Sequence, residues 1–448
     1  MQHEETCNIS RVVQDQTSGR FAFALLAWCF VIVLLDGYDQ IAIAYAAPAL
    51  VKAWHAKAGD FAPVFGVGLF GVLVGSLLLG FVGDRLGRKR TIIYGSLAFG
   101  LLTMACAAAS SIGQMTVLRF LAGIGMGGVV PNTVALVAEY APRQRRATWV
   151  TLMFSGFSVG ASGGGAVSSW LLPQFGWQII FLIGGAAAVV VAFASFRALP
   201  ESIRFLVLKE RSHAEIVRLV QRMFPARPVT QGTRFVLDDE APLTRASPRA
   251  LFGSGLRYVT PLLWAVFILN SLALHFLQNW LPMLFGLAGL APERSALVAM
   301  MFPVGGTIGA LALSRLVDRH GMMVIGVLAA LGCPVAASLG HAMPQAVLMA
   351  AVFMSGVCVI GTQFGLYALA GSIYPTPVRS LGVGTAIGVG KFGSIAGSML
   401  GGVLLAMHLP IGDLFMNVAL LFVFITAFAA LLAVSHRSVA RDGVQRTV

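Results

Sequence analysis

The sequence predicts an all-α membrane protein of twelve transmembrane helices arranged as two related bundles of six. Composition, the placement of charge and an internal repeat predict it. Of 448 residues, 57% are hydrophobic and 11% charged, with 51 glycines, and the mean hydropathy is +0.83. A chain that apolar has lipid as its solvent. A helix needs roughly 20 apolar residues to cross the hydrocarbon core. Runs of that kind fall near residues 22–48, 62–83, 91–110, 115–137, 149–171, 177–197, 258–281, 295–317, 323–340, 346–372, 382–407 and 414–434. The segment before Phe21 is polar and the run after it carries two aspartates, which reads against a cleaved signal peptide.

The net charge of +13 could point to nucleic acid, but the cations sit where they orient a membrane protein. With the N-terminus inside, 26 of the 31 Lys and Arg fall in cytoplasmic segments. Lys52, Lys57 and Arg294 fall outside, and Arg119 and Lys391 lie within spans. Cationic loops resist translocation, so both termini are expected in the cytoplasm. The expected organisation is a tail over 1–21, a first six-helix bundle over 22–197, a polar linker over 198–257, a second bundle over 258–434 and a tail over 435–448. The linker holds Pro225, Pro228, Pro242 and Pro248 and one amphipathic stretch from Ser212 to Met223. At a constant offset of 234 residues, Gly71 matches Gly305, Asp84-Arg85 matches Asp318-Arg319, Tyr140 matches Tyr374, Arg145 matches Arg379 and Gly163 matches Gly397. One ungapped offset with that many pairs indicates a duplicated six-span unit.

Four polar features stand inside or beside the spans. Asp36 and Asp39 in span one are three residues apart and share a helix face near mid-membrane. Two acids so close and out of water titrate as a pair, which makes them the expected proton-coupling element. Lys391 in span eleven is too deep to reach the surface easily, so it needs an anion, either the span-one acids or a substrate carboxylate. Arg119 opens span four, where it faces a wet cavity or an acid, or snorkels to the nearby interface. His275 in span seven either binds substrate or is a satisfied polar core residue beside Gln278 and Asn279. Tyr38, Tyr45, Phe154, Trp280, Phe364 and Tyr367 are candidates for an aromatic cavity lining or for packing. The glycine ladders Gly156, Gly160 and Gly164, and Gly393, Gly397 and Gly401, let helix backbones approach. The five cysteines show no ligand or disulfide spacing.

The loop Gly80-Phe-Val-Gly-Asp84-Arg85-Leu-Gly87-Arg88-Lys89-Arg90, with its weaker copy Val317-Asp318-Arg319-His320-Gly321, resembles the signature of the major facilitator superfamily. The resemblance implies the major facilitator fold and a conformational latch. Its expected members are Asp84, Arg85, Arg88, Glu139 and Arg145, with Asp318, Arg319 and Arg379 in the second half. Asp36-Gly-Tyr-Asp39 followed by Ala47-Pro-Ala-Leu50, Pro131-Asn132 with Glu139-Tyr-Ala-Pro142, and Pro200-Glu-Ser-Ile-Arg-Phe-Leu206 are similar to the aromatic acid:proton symporters within it. That resemblance implies that Asp36, Asp39, Arg119 and Lys391 are needed for transport. Span eleven departs from the group, with Lys391 in place of arginine and Gly397-Ser398 where Gly-Pro is usual. Span five lacks the proline that resembles drug antiporters.

The resulting expectation is a secondary transporter that imports a benzoate-, hydroxybenzoate- or hydroxyphenylpropionate-type carboxylate by proton symport. It is expected to act as a monomer in a bacterial inner membrane. A proton-coupled carrier of another organic acid or of a sugar, and a non-transporting receptor on the same fold, are the alternatives. Substrate-binding candidates are Lys391, Arg119, Tyr38, His275 and Tyr367. No cofactor beyond the coupling proton, no metal and no nucleic acid are expected. Without a Ser/His/Asp set, metal cluster or phosphate-cradling loop in the sequence, there is no support for an enzyme.

Overall fold

A computed structural model describes residues 6–8, 19–142, 145–209, 213–223, 233–236, 247–253, 256–374 and 378–445. The expected amphipathic segment is described from His213 onward, and the side chain of Asp318 lies outside what is described. The N-terminal helices are α1 (Arg20–Trp54), α2 (Ala62–Leu86), α3 (Arg88–Cys106), α4 (Ile112–Tyr140), α5 (Arg146–Phe175) and α6 (Gln178–Ala198). Two shorter helices follow, α7 (Ile203–Leu208) and α8 (His213–Met223). Then come α9 (Val259–Leu287), α10 (Pro292–Ala299), α11 (Met301–His320), α12 (Met322–Ser338), α13 (Gln345–Ile373), α14 (Arg379–Ala406) and α15 (Ile411–Gln445).

Among the described residues, ten helical stretches are long and apolar enough to cross a membrane. The third and ninth expected spans fall short of that measure for physical reasons. Helix α3 opens on Arg88-Lys89-Arg90 and leaves few purely apolar turns. Helix α12 has 17 residues, about 26 Å at 1.5 Å per residue, against a hydrocarbon core of about 30 Å. The eighth span runs through α10 and α11, which meet at Met300, a residue that keeps helical dihedrals of φ −63° and ψ −19°. One small departure from an all-α chain lies outside the spans: Thr6–Asn8 pairs in parallel with Arg234–Val236. The amphipathic α8 buries Ile216, Val217, Leu219, Val220 and Met223 on one side.

Both sets of helices pack by the same scheme. In the first, α1 pairs with α5, α2 with α4 and α3 with α6; in the second, α9 pairs with α14, α11 with α13 and α12 with α15. Glycines set how close these pairs come. A Cβ at Gly160 would collide with the backbone of Leu34, and one at Gly397 with the backbone of Leu272. In lipid, such close approach replaces the hydrophobic drive that a soluble bundle would use.

The two sets touch at one end of the bundle. There the turn at Ala58–Phe61 and the start of α2 meet the end of α14, Gly165 of α5 meets Met300, and Pro48 of α1 meets Gly286. Phe65 and Trp280 stack edge to face at 5.2 Å in the same layer. At the opposite end, which carries the Asp84–Arg90 loop, α4 and α13 share no substantial contact among the described residues. The molecule is therefore closed at one end and parted at the other.

Candidate functional site

Asp36 and Asp39 lie in the middle third of α1, and both are buried, at 3% and 1% exposure. Their chemical situations differ. Asp39 is fully engaged: Arg119 Nη1 donates to its Oδ2 at 3.0 Å, Arg119 Nη2 donates to its backbone carbonyl at 2.9 Å, and Thr103 Oγ1 donates to Oδ1 at 2.6 Å. Arg119 is itself buried and does not snorkel. Removing one partner from such a buried, hydrogen-bonded ion pair costs about 3 to 5 kcal/mol, because it strands the other charge.

Asp36 accepts no hydrogen bond among the described residues. It interacts electrostatically with Asp39, with Lys391 of α14 and with Arg119 of α4. Lys391 is half-buried and likewise has no hydrogen-bond or ion-pair partner among the described residues. A buried acid and an interior cation thus interact with no hydrogen bond or ion pair between them among the described residues.

His275 of α9 is bonded through Nδ1 to the Ser271 carbonyl at 3.0 Å and interacts electrostatically with Lys391. With Gln40, Arg119 and Asn279 it lines a narrow cavity of about 20 Å³ on the closed side. That holds a water molecule and nothing the size of an aromatic ring. Tyr367 of α13 is 40% exposed, with its ring 5.8 Å from Phe267 and 6.3 Å from Phe364. Tyr38 does not belong to this group. Its hydroxyl donates to the Ile180 carbonyl at 3.0 Å and its ring packs on Gly184 of α6. Two residues are about 200° around a helix from each other, so Tyr38 faces away from Asp36. Tyr45 and Trp280 are also packing residues, donating to the carbonyls of Ala161 and Ser398.

At the parted end, Arg88 pairs with Glu139, whose other oxygen accepts from Ser202 Oγ at 2.6 Å. Glu201 was not a sequence candidate, yet its carboxylate accepts from the Lys89 amide at 3.0 Å and the Ser202 amide at 2.9 Å. It caps the N-terminus of α3 at Gly87, whose φ is +106°. Asp84 is exposed and has no partner among the described residues, while Arg85 lies 4.0 Å over the Phe81 ring. Arg145 and Arg319 are exposed, and exposed Arg379 donates from Nε to the Tyr374 carbonyl at 3.3 Å. Neither the role of Thr103 nor that of Glu201, which the sequence marks only as a member of the Pro200–Leu206 run, is legible in the sequence. The first is a single hydroxyl in an apolar run, the second a carboxylate in a loop, and their partners are 64 and 112 residues away.

A cavity of about 780 Å³ lies on the flank between α2, α3 and α4 and includes neither Asp36 nor Lys391. Size alone does not locate the site. Among the described residues no group of His, Cys, Asp or Glu could hold a metal ion.

Comparison with known proteins adds the following. The profile of the Major Facilitator Superfamily matches residues 29–376. A gallate transporter of Pseudomonas putida is 34% identical over 431 residues, 96% of this chain and 94% of its own. The 4-hydroxybenzoate transporter PcaK of Acinetobacter baylyi is 34% identical over 402 residues, 88% of this chain and 87% of its own. Among solved structures, a D-xylose–proton symporter superposes with a TM-score of 0.69 at 16% identity, covering 91% of this chain and 97% of that one. A bacterial homologue of the lysosomal transporter Spinster, in an inward-facing and unoccupied conformation, gives 0.66 at 16% identity over 95% and 98%. At that identity the likeness is one of fold.

Proposed function

The chain belongs to the Major Facilitator Superfamily, and on that premise we propose that it imports an aromatic carboxylate together with protons by alternating access. It is a multi-pass membrane transport protein, and its relatives at 34% identity carry gallate and 4-hydroxybenzoate. The observation that carries the mechanism is the open pair of Asp36 and Lys391.

Lys391 has two possible anionic partners, Asp36 and the substrate. When Asp36 takes up a proton, the lysine is left without a counter-charge and draws in the carboxylate. When Asp36 gives the proton up, it competes for the lysine again and the acid is released. Substrate and proton therefore travel together. Asp39 is held as the fixed counter-charge of Arg119 and keeps the layer between α1, α3 and α4 in register.

Orientation gives the cycle its direction. The parted end carries the cationic loops, so by the positive-inside rule it faces the cytoplasm. On this reading both termini lie inside, the membrane is a bacterial cytoplasmic membrane, and the structure is the inward-facing state of a monomer with its outer side closed to water size. Free Asp84 then fits a latch that has been released, and Arg88–Glu139 with Glu201 stays closed within the first bundle as its fixed part. Counterflow tests the function itself. Proteoliposomes loaded with unlabelled 4-hydroxybenzoate are expected to draw in labelled 4-hydroxybenzoate transiently above its equilibrium level. Binding without any such overshoot would identify a receptor instead.

A further inference from the structure

The interior carries a second polar group, on α9 and α13, that the charge pair does not use. Asn270 has no exposed surface. Its amide nitrogen donates to the Val359 carbonyl at 3.2 Å and to Gln363 Oε1 at 2.7 Å, while its own Oδ1 is buried without a donor. A buried acceptor left unpaired is unfavourable, so this orientation is held by the two bonds the nitrogen makes. Its consequence falls on Gln363. With Oε1 taken by Asn270, and Ser271 Oγ 3.4 Å from the same oxygen, the Gln363 amide nitrogen points the other way, and Tyr367 follows one helical turn later on the same face of α13. Tyr367 is the partly exposed ring between Phe267 and Phe364.

This group adjoins the cation. Gly390 precedes Lys391, and a Cβ there would stand 3.3 Å from Ser271 Oγ and 3.5 Å from the Phe267 ring. The oriented amide and the aromatic rings of α9 and α13 thus lie against α14 at the residue that precedes Lys391.

Resting on the reading that Lys391 holds the substrate carboxylate, we propose that Gln363 and Tyr367 form a subsite for an oxygen on the substrate ring, with Asn270 as the residue that positions Gln363. The ring packs against the exposed face of Tyr367, which Phe267 backs from within, and its hydroxyl oxygen accepts from the Gln363 N–H and the Tyr367 O–H. An unsubstituted ring brings carbon to those donors and strips their water without replacing it. The transporter therefore selects ring-hydroxylated acids over benzoate, since a site built to hydrogen-bond an oxygen discriminates strongly against the analogue lacking it.

The test is a ratio. Half-saturation for benzoate and for the better of 3- and 4-hydroxybenzoate is measured in proteoliposomes for wild type, Gln363→Met and Asn270→Leu. Wild type is expected to favour the hydroxylated acid by about tenfold or more. Gln363→Met should bring the two acids within about threefold by weakening the hydroxylated one alone, and Asn270→Leu should move the ratio the same way with maximal rate kept. If Gln363→Met does not fold, the shortened amide of Gln363→Asn supplies the same ratio. Equal affinities in wild type, or a wild-type ratio in substituted proteins that still transport, would overturn the subsite and leave the transporter reading intact. No saturable uptake of any of these acids by wild type would overturn that reading as well.

Discussion

Asp36→Asn is expected to stop uphill accumulation of the acid while leaving exchange across the membrane in place. Asparagine has the shape of a protonated aspartate and its neutral charge, so Lys391 stays free to bind substrate in every conformation. What is lost is the ability to release a proton, and with it the link to the pH gradient. One proton per substrate across one pH unit supplies about 1.4 kcal/mol, a tenfold accumulation. The variant should instead level off near an inside-to-outside ratio of about 1, with counterflow retained. Asp39→Asn should behave differently, because that acid is engaged by Arg119 and Thr103. Its loss strands a buried guanidinium at about 3 to 5 kcal/mol, so yield and thermal stability should fall before coupling can be read. Like effects of the two asparagine variants on stability and on coupling would contradict this division of labour.

Lys391→Ala is expected to weaken apparent affinity for the acid by about ten- to a hundredfold. A charge-assisted contact to a carboxylate contributes about 1.5 to 3 kcal/mol, and each 1.4 kcal/mol is tenfold. The variant also leaves Asp36 without its facing cation, so uptake should lose its dependence on external pH together with its affinity. Lys391→Arg should retain more of both, since the charge is kept and only the point donor becomes a planar fork. Titration of the acid into purified protein reads the first effect directly. Unchanged binding in Lys391→Ala would remove the lysine from the site.

The membrane architecture was largely legible in the sequence because lipid leaves so few options. Apolar length, cation placement and the 234-residue repeat each report on the same helices. The shortfalls sit where other terms intrude: the cationic start of α3 and the 17 residues of α12. The interior charges were also visible, since an ionisable residue inside a span is costly and rare. Their partnership was not. Nothing in Asp36-Gly-Tyr-Asp39 distinguishes the engaged acid from the open one, because the difference is made by Thr103 and Arg119, 64 and 80 residues away. Helical phase could have moved Tyr38 out of the candidate site, as its position lies about 200° around α1 from Asp36. The positioning of Gln363 by Asn270 depends on how α9 and α13 pack, which periodicity does not encode.

The most direct test of proton-coupled transport through Asp36 is substrate-driven proton movement in proteoliposomes at equal internal and external pH, corrected for passage through protein-free liposomes. Adding the aromatic acid outside wild-type vesicles is predicted to raise external pH as protons enter with it. The same addition to Asp36→Asn vesicles is predicted to give no alkalinisation while labelled acid still exchanges. A single proton with a monoanion makes the step electroneutral, whereas a second would add a response of about 2.3 kcal/mol per 100 mV of imposed potential. Normal alkalinisation by Asp36→Asn, or transport by wild type without any, would contradict the account.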